Sequence, residues 1–294
     1  MINLYSAIKQ SDVFRKLEVN EVLFAEYICM REETKLGIWS DSNYFAFISS
    51  GKKAWRTIYH TYEVNKGDIL FIKKGANLTH QFFEDEFCAV FIFIPDDFIK
   101  NFLDKNPVLL DRKEKDISSQ DAIITLQGDE LLQNYYQSIR SYLFLSEQPN
   151  KELVKLKFEE LLLSLFSNHA HRELTDYFIS LCQSQLYHMS RVIEQNFAYN
   201  LKLEEFAQLC HMSLSAFKKS FKEYYRTTPA VWLKERKLDR ALHQLLTSEL
   251  SISQISFESG FEDTSHFIRV FKQRHGLTPL QYRQKFSGLV KLGV

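Results

Sequence analysis

The stretch FKKSFK at residues 217–222 is repeated as FIRVFK at residues 267–272, and TPAVW at 228–232 is repeated as TPLQY at 278–282. Each copy follows a short apolar segment and a turn. Self-similarity of this kind marks a repeated supersecondary unit, and two short helices joined by a turn form a helix-turn-helix motif. The repeat therefore predicts two such motifs in tandem, at 202–225 and 251–275, and it favours a DNA-binding protein over an enzyme.

In each predicted motif the second helix, here called the recognition helix, carries a pair of phenylalanines four residues apart. Phe217 and Phe221 form the first pair, and Phe267 and Phe271 form the second. Residues at this spacing lie on one face of a helix, so we expect them to anchor it in the core. The polar side chains left on the outer face are Ser215, Lys218, Lys219, Lys222, Thr264, Ser265, His266, Arg269 and Lys272.

The outward residue types suit contacts with duplex DNA. Arg and Lys donate to guanine O6 and N7, and Ser, Thr and His contact base edges or phosphate. Lys222, Lys272 and Arg274 lie further from the helix starts and are predicted to bind phosphate. The alternative for any single lysine is a solvated surface charge. A long helix at 229–246 is predicted to hold both recognition helices in successive major grooves, about 34 Å apart.

Length and charge suggest two domains of different character. About 150 residues per domain predicts two domains for 294 residues. Residues 1–184 hold 21 basic and 27 acidic residues, whereas residues 185–294 hold 16 and 10. A basic C-terminal part is typical of nucleic-acid binding. The four scattered cysteines indicate a reducing compartment without disulfides. The sequence shows no signal peptide and no membrane-spanning run, so we expect a cytoplasmic protein.

The N-terminal part favours an antiparallel β-barrel or sandwich followed by helices. Apolar runs at 22–25, 44–48, 57–59, 69–72 and 89–94 alternate with turn signals, which is typical of short strands. Residues 111–127 are polar and predicted to be a loop, and helices are predicted at 129–146 and 151–169. The fold class is therefore α+β, with a regulatory and dimerisation domain at 1–175 and an all-α DNA-binding domain at 186–286.

The predicted barrel raises the question of a bound effector. It resembles a cupin, but His60 and His80 stand alone there, so no metal ion, cofactor or catalytic residue is predicted. His169 and His171 form an H-x-H pair at a helix end, where the two side chains should diverge. An effector pocket could be lined by Phe45, Phe47, Trp55, Phe71 and His80. Alternatively, these aromatic residues belong to the core.

The apolar helix predicted at 151–169 must bury its apolar face. One possibility is that Leu156, Leu162 and Leu163 contact the same helix of a second subunit in a homodimer. The other possibility is burial on the helix's own barrel.

Two linked signatures resemble those of the AraC/XylS family of bacterial transcription regulators. They are AxxxxMSxxxFxxxFK at 207–222 and GFxxxxxFxxxFKxxxGxTPxxYR at 260–283. The resemblance covers residues 187–286, and it implies base contacts by Ser215, Lys218, Lys219, Thr264, Ser265, His266 and Arg269. RNA polymerase is implied as a partner. Two positions depart from the family, which usually has glycine where this chain has His211 and Arg226.

The N-terminal part resembles the regulatory domains of the same family. The stretches GDILFIKKG (67–75), followed by His80, and KFEELLL (157–163) are similar to the branch that activates type III secretion genes. Membership in that branch implies control by a protein antagonist rather than by a sugar.

We therefore expect a sequence-specific DNA-binding regulator, an activator by family resemblance, tuned by a small molecule or a protein. Two alternatives remain: a regulator or DNA-bending protein without an effector, and a cupin-type enzyme with a helical appendage. The enzyme would need a convergent polar site in the barrel. The repeated motif separates the regulators from the enzyme, and only ligand or partner binding separates the two regulators.

Overall fold

The computed structural model describes residues 1–19, 21–28, 35–81, 87–110, 121–145, 149–182 and 185–290. The chain divides into two compact units, Met1–Arg191 and Val192–Val294. The sequence predicted this division between residues 175 and 186. The boundary lies later because Arg191 donates to the Ser180 hydroxyl at 3.0 Å and lies 4.9 Å above the Tyr177 ring, which ties it to the first unit.

The first unit contains two β-sheets. The strands are β1 Ile2–Asn3, β2 Lys16–Val19, β3 Val22–Ile28, β4 Lys35–Ser40, β5 Asn43–Ser50, β6 Lys53–Arg56, β7 Thr61–Val64, β8 Ile69–Ile72, β9 Gly75–Gln81, β10 Cys88–Ile94 and β11 Ile123–Leu126. One sheet has the order β1-β4-β9-β6-β7 and the other the order β11-β8-β5-β10-β3-β2. All described pairs are antiparallel except β1 with β4.

Two strand predictions were wrong. The run 57–59 is a turn between β6 and β7, where the Thr57 hydroxyl accepts from the backbone N–H of His60 at 3.0 Å. The stretch 111–127, predicted as a loop, contains β11, which pairs with β8 along Ile123–Leu126. Residues 111–120 lie outside the described residues. A four-residue strand at a sheet edge gives too short an apolar run to be separated from a loop by its pattern.

Five of the six described helices of the first unit come after strand β10 in the chain. They are α1 Leu4–Gln10, α2 Asp96–Lys105, α3 Glu130–Leu143, α4 Lys151–Ser167, α5 Arg172–Ser180 and α6 Gln185–Asn196, the last of which continues into the second unit. Asp129 and Asn150 cap α3 and α4, accepting from the backbone N–H of Leu132 and Glu152, each at 2.8 Å. Such caps satisfy N–H groups that have no partner within the helix.

Strand β5 shows how the first unit builds two cores. Tyr44 and Ala46 point into a cluster between the sheets, whereas Phe45 and Phe47 point into a second cluster shared with α2–α5. Successive side chains of a strand point to opposite faces. A strand buried on both faces is therefore apolar throughout, which is why these runs are so conspicuous in the sequence.

The second unit consists of helices in its described part. They are α7 Leu203–Leu209, α8 Leu214–Tyr225, α9 Pro229–Thr247, α10 Ile252–Glu258, α11 Thr264–His275 and α12 Pro279–Val290, preceded by the end of α6. The predicted tandem helix-turn-helix motifs and the long connecting helix are confirmed. Across the described chain, no helix combines the length and the apolar character needed to cross a membrane.

Candidate nucleic-acid interface

Both recognition helices, α8 and α11, have defined ends. The Ser213 hydroxyl accepts from the backbone N–H of Ala216 at 3.2 Å, and the Asp263 carboxylate accepts from those of Ser265 and His266 at 3.1 and 2.8 Å. These bonds hold the pKa of Asp263 below its usual value because they stabilise the carboxylate. Both helices end at a residue with left-handed backbone, Arg226 and Gly276.

Buried aromatic side chains fix how each recognition helix sits on its neighbours. Phe217 and Phe221 are 1% and 0% exposed, and the Phe221 ring packs edge-on against Trp232 of α9 at 5.9 Å. Phe267 and Phe271 are fully buried, and Phe271 packs against Tyr282 of α12 at 5.7 Å. The predicted anchors are therefore confirmed, and the opposite face of each helix is left to solvent.

The residues predicted to contact DNA lie on those solvent-facing surfaces. Ser215, Lys218, Lys219, Lys222, Ser265, His266, Arg269 and Lys272 are exposed, and Thr264 is half-buried. The five cations among them, Lys218, Lys219, Lys222, Arg269 and Lys272, form no ion pair with any residue that the structure describes. Each recognition helix thus presents cations that have no carboxylate of the described residues within 4.0 Å.

Arg274, for which a phosphate contact was also predicted, differs from these cations because it is paired with carboxylates. Its guanidinium forms ion pairs with Glu235 at 3.0 Å and Asp239 at 2.7 Å, both on α9. It also donates to the backbone carbonyl of Glu235 at 3.0 Å. Arg274 therefore joins the end of α11 to the long connecting helix instead of extending towards a ligand.

A second set of contacts, which could not be predicted from the sequence, fixes the orientation of the second motif. Lys237 and Arg240 of α9 donate to the backbone carbonyls of Gly260 at 2.8 Å and Glu258 at 3.2 Å. These carbonyls lie at the C-terminal end of α10, where helical carbonyl groups have no partner within the helix. Contacts between helices depend on how the helices pack in the tertiary structure, and no local sequence motif predicts them.

The two departures from the family pattern both adopt left-handed backbone. The φ angles of His211 and Arg226 are 54° and 56°, a region that costs about 1–2 kcal/mol for a residue with a Cβ atom. His211 lies in the turn of the first motif and Arg226 at the end of α8. The first motif therefore keeps the backbone that glycine would favour.

Replacing Arg226 by glycine should stabilise the chain. We expect Arg226→Gly to raise the free energy of unfolding by about 1 kcal/mol, because glycine adopts positive φ at no steric cost. Denaturant titration of the full chain measures the change. Arg226→Ala removes the same charge but keeps the Cβ atom, so it should give no such gain. Equal gains for both variants would assign the effect to charge instead of to backbone strain.

The residues predicted to line an effector pocket do not form one cluster. Phe45, Phe47 and Phe71 belong to the core beneath the helices, whereas Trp55 belongs to the core between the sheets. His80 is half-exposed on β9. The alternative, that the aromatic residues belong to the core, accounts for all four of them. Among the described residues, no group of three or more His, Cys, Asp or Glu side chains could hold a metal ion.

Of the three residues predicted to form a dimer interface, one is buried and two are exposed. Leu162 is fully buried in its own domain, so its assignment to a surface was wrong. Leu156 and Leu163 are 60% and 46% exposed, and Leu153 on the same stripe is 47% exposed. The helix therefore buries one face on its own sheet and leaves a narrow leucine stripe outside.

Comparison with known proteins adds independent information. Residues 43–177 match the ExsA N-terminal regulatory domain, and residues 206–285 match a helix-turn-helix domain. The virulence regulon transcriptional activator VirF of Yersinia enterocolitica is 28% identical over 242 residues, which cover 79% of this chain and 86% of VirF. The thermoregulatory protein LcrF of Yersinia pestis has the same identity and coverage. The transcriptional regulator ExsA of Pseudomonas aeruginosa is 26% identical over 234 residues, covering 80% and 83%.

These matches extend over both units of the chain. The regulatory-domain match lies within the sheet-containing unit, and the helix-turn-helix match begins in α7 and ends in α12. The chain therefore contains an ExsA-type N-terminal regulatory domain and an AraC-type DNA-binding helix-turn-helix domain, and it is homologous to the transcription regulators VirF, LcrF and ExsA.

Proposed function

We propose that this protein is a sequence-specific transcription activator that inserts α8 and α11 into successive major grooves of duplex DNA. Its activator relatives support the sign of regulation. In this proposal the bases are contacted by Ser215, Lys218, Lys219, Thr264, Ser265, His266 and Arg269, and the phosphates by Lys222 and Lys272. The observation that carries the proposal is the exposed, unpaired set of cations on both recognition helices.

The contrast among the basic residues of the second unit supports this role. Arg236 and Arg274 pair with carboxylates at 2.7 Å and stabilise the helix packing. The cations on the recognition helices have no such partner among the described residues. A phosphate backbone can supply the missing negative charge, and the counterions it releases favour binding.

Arg269→Ala should weaken binding and relax sequence preference at one base position. A direct contact between an arginine and a base contributes about 1–3 kcal/mol of discrimination, so the loss should appear at a single position of the site. The measurement is selection of bound duplexes from a random DNA library with the full chain at fixed salt, followed by titration of the enriched site. An unchanged preference at every position of the enriched half-site would contradict a base contact by Arg269.

Two variants serve as controls for this experiment. Lys222→Ala should weaken binding to all sequences alike and reduce the slope of log K against log salt by about one unit. Lys105→Ala changes an exposed lysine on α2 in the other unit and should leave DNA binding unchanged. A changed base preference in Lys222→Ala would contradict its phosphate role.

We also propose that the first unit forms a homodimer through the exposed stripe Leu153, Leu156 and Leu163 of α4. Leu156→Glu should give monomers by light scattering, because a carboxylate at the centre of an apolar interface loses its hydration. Leu131 on α3 is equally exposed, at 62%, and lies off the stripe, so Leu131→Glu should remain dimeric. A dimer that persists in Leu156→Glu would remove α4 from the interface.

The remaining partners follow from the family. RNA polymerase is the proposed protein partner at promoters, and a small molecule or a protein antagonist is the proposed effector of the first unit. Action on chromosomal DNA places the protein in the bacterial cytoplasm. The regulatory role of its homologues supports a non-enzymatic function.

A further inference from the structure

The first unit contains a cavity of about 560 Å³ between α3 and the inner strands of the six-stranded sheet. Residues of β3, β5, β8, β10 and α3, together with the turn before β8, line it. Its volume lies within the range of small-molecule sites, about 300–1,000 Å³. Only Phe47 among the five residues predicted to line an effector pocket reaches it, so it is a different place from the one the sequence indicated.

Arg140 of α3 lines this cavity with a guanidinium group that has no anionic partner. Its Nε atom is buried and forms no hydrogen bond, and the group lies 5.3 Å from the ring centre of Phe144. It forms no ion pair with any described residue. Arg140 therefore adds to the cavity a positive charge that no described carboxylate neutralises.

Glu26 of β3 lines the same cavity and is also unpaired. Its half-exposed side chain forms no hydrogen bond or ion pair with any residue in the described ranges. One cavity therefore presents the Arg140 guanidinium and the Glu26 carboxylate, which form no ion pair with each other. Lys66, in the turn before β8, adds an ammonium group to the lining, and this group is exposed to solvent. The other acidic residue of the lining, Asp68, accepts from the backbone N–H of Asn65 at 2.8 Å and so stabilises the turn before β8.

The rest of the lining is mixed in polarity. Phe47 and Tyr136 stack with their ring centres 5.4 Å apart and their planes at 15°, and Ile48 and Ile69 line the same cavity. Ser49, Ser50, Gln133 and Gln137 add polar groups, so the aromatic pair forms an apolar patch within a largely polar site.

We propose that this cavity binds a zwitterionic α-amino acid with an apolar side chain. Arg140 binds the α-carboxylate, Glu26 binds the α-ammonium group, and Phe47 and Tyr136 contact the side chain. A ligand with both charges pairs with both Arg140 and Glu26. A simple acid or a simple amine pairs with only one of them and leaves the other without a counter-charge. The regulatory consequence rests on the proposed function: an amino acid bound against α3 would act as the effector of the first unit.

Calorimetric titration of the full chain without DNA tests the site. The probes are L-phenylalanine, L-leucine, 3-phenylpropanoate, which lacks the ammonium group, and 2-phenylethylamine, which lacks the carboxylate. Both amino acids should bind, and either analogue of phenylalanine should bind about tenfold or more weakly, since hydrogen bonds between charged groups contribute at least that much. Failure of both amino acids to bind, or equal binding of the analogues, would overturn the proposal.

Two variants assign the charges to their partners. Arg140→Gln should weaken the binding of L-phenylalanine about tenfold and leave the binding of 2-phenylethylamine unchanged. Glu26→Gln should also weaken the binding of L-phenylalanine about tenfold, but it should leave the binding of 3-phenylpropanoate unchanged. Glu152→Gln, on the exposed side of α4, should change nothing. Equal losses for all ligands in both variants would overturn the assignment. If Arg140→Gln does not fold, Glu26→Gln and the wild-type analogue series still decide the outcome.

Operator binding with and without L-phenylalanine separates the site from the proposed function. An amino acid that binds and changes operator affinity supports the site and its regulatory role. An amino acid that binds without changing operator affinity supports the site and overturns that role. A chain that binds the amino acid but enriches no DNA sequence contradicts the proposed function alone.

Discussion

Gly260→Ala should destabilise the second unit by about 3 kcal/mol or more and abolish sequence-specific DNA binding. Gly260 lies in the turn between α10 and α11 at φ 87°, and a Cβ atom there would overlap the carbonyl oxygen of Ala198 and lie 2.8 Å from its carbon. The left-handed backbone adds about 1–2 kcal/mol and the overlap about 1–3 kcal/mol. Relief would require the turn to move away from Ala198, and α11 would move with it.

Gly276→Ala is the matched control for this variant. Gly276 ends α11 at φ 76°, and a Cβ atom there would meet nothing within 4 Å. It should therefore cost only the backbone term, about 1 kcal/mol. Urea unfolding followed by circular dichroism gives both free energies, and titration of the selected DNA site gives both affinities. Equal losses in the two variants would show that contact with Ala198 is not what requires glycine at position 260.

The free energy of unfolding of the wild type should rise between pH 7.5 and 9.5, and Lys73→Met should remove this rise. Lys73 is 2% exposed on the segment after β8, and its ammonium donates to the backbone carbonyl of Asp121 at 2.6 Å. Burial, together with the positive charge of Arg191, lowers the pKa of Lys73 to about 7, although the charges of Glu173 and Asp121 oppose the shift. The Tyr177 ring, 5.1 Å from the ammonium, is its other contact.

The direction of this effect follows from proton binding. In the unfolded chain a lysine keeps its proton up to about pH 10.4, whereas folded Lys73 loses it near pH 7. Between these values the unfolded state binds one more proton, so stability increases with pH by up to about 1.4 kcal/mol per unit. Over two pH units the wild type should gain about 2–3 kcal/mol relative to Lys73→Met. Parallel pH profiles of unfolding would contradict the low pKa.

The helix-turn-helix motifs could be predicted from the sequence because their determinants are local. Phenylalanines four residues apart, a capping serine and a terminating glycine act within one or two helical turns. Helices α8 and α11 end at Tyr225 and His275, which are the predicted ends of the two motifs. The outward residues of each recognition helix could then be inferred as those that do not lie on its buried face. The strand runs were also visible, because burial on both faces leaves no polar residue to interrupt them.

Other assignments needed the tertiary structure because they depend on which elements face each other. The spacing of leucines in α4 could not show that Leu162 points to the sheet while Leu156 and Leu163 point to solvent. Nor could it show that Arg274 would be neutralised by Glu235 and Asp239, a helix away in the chain.

The repeat in the sequence by itself determined the two helix-turn-helix motifs and the recognition helices, since periodicity and capping are properties of neighbouring residues. Only the tertiary structure decided which cations stay unpaired, where a cavity opens, and that Gly260 must lack a Cβ atom beside Ala198. These properties arise from distances between residues far apart in the chain, and those distances are set by how the helices and strands pack within each unit.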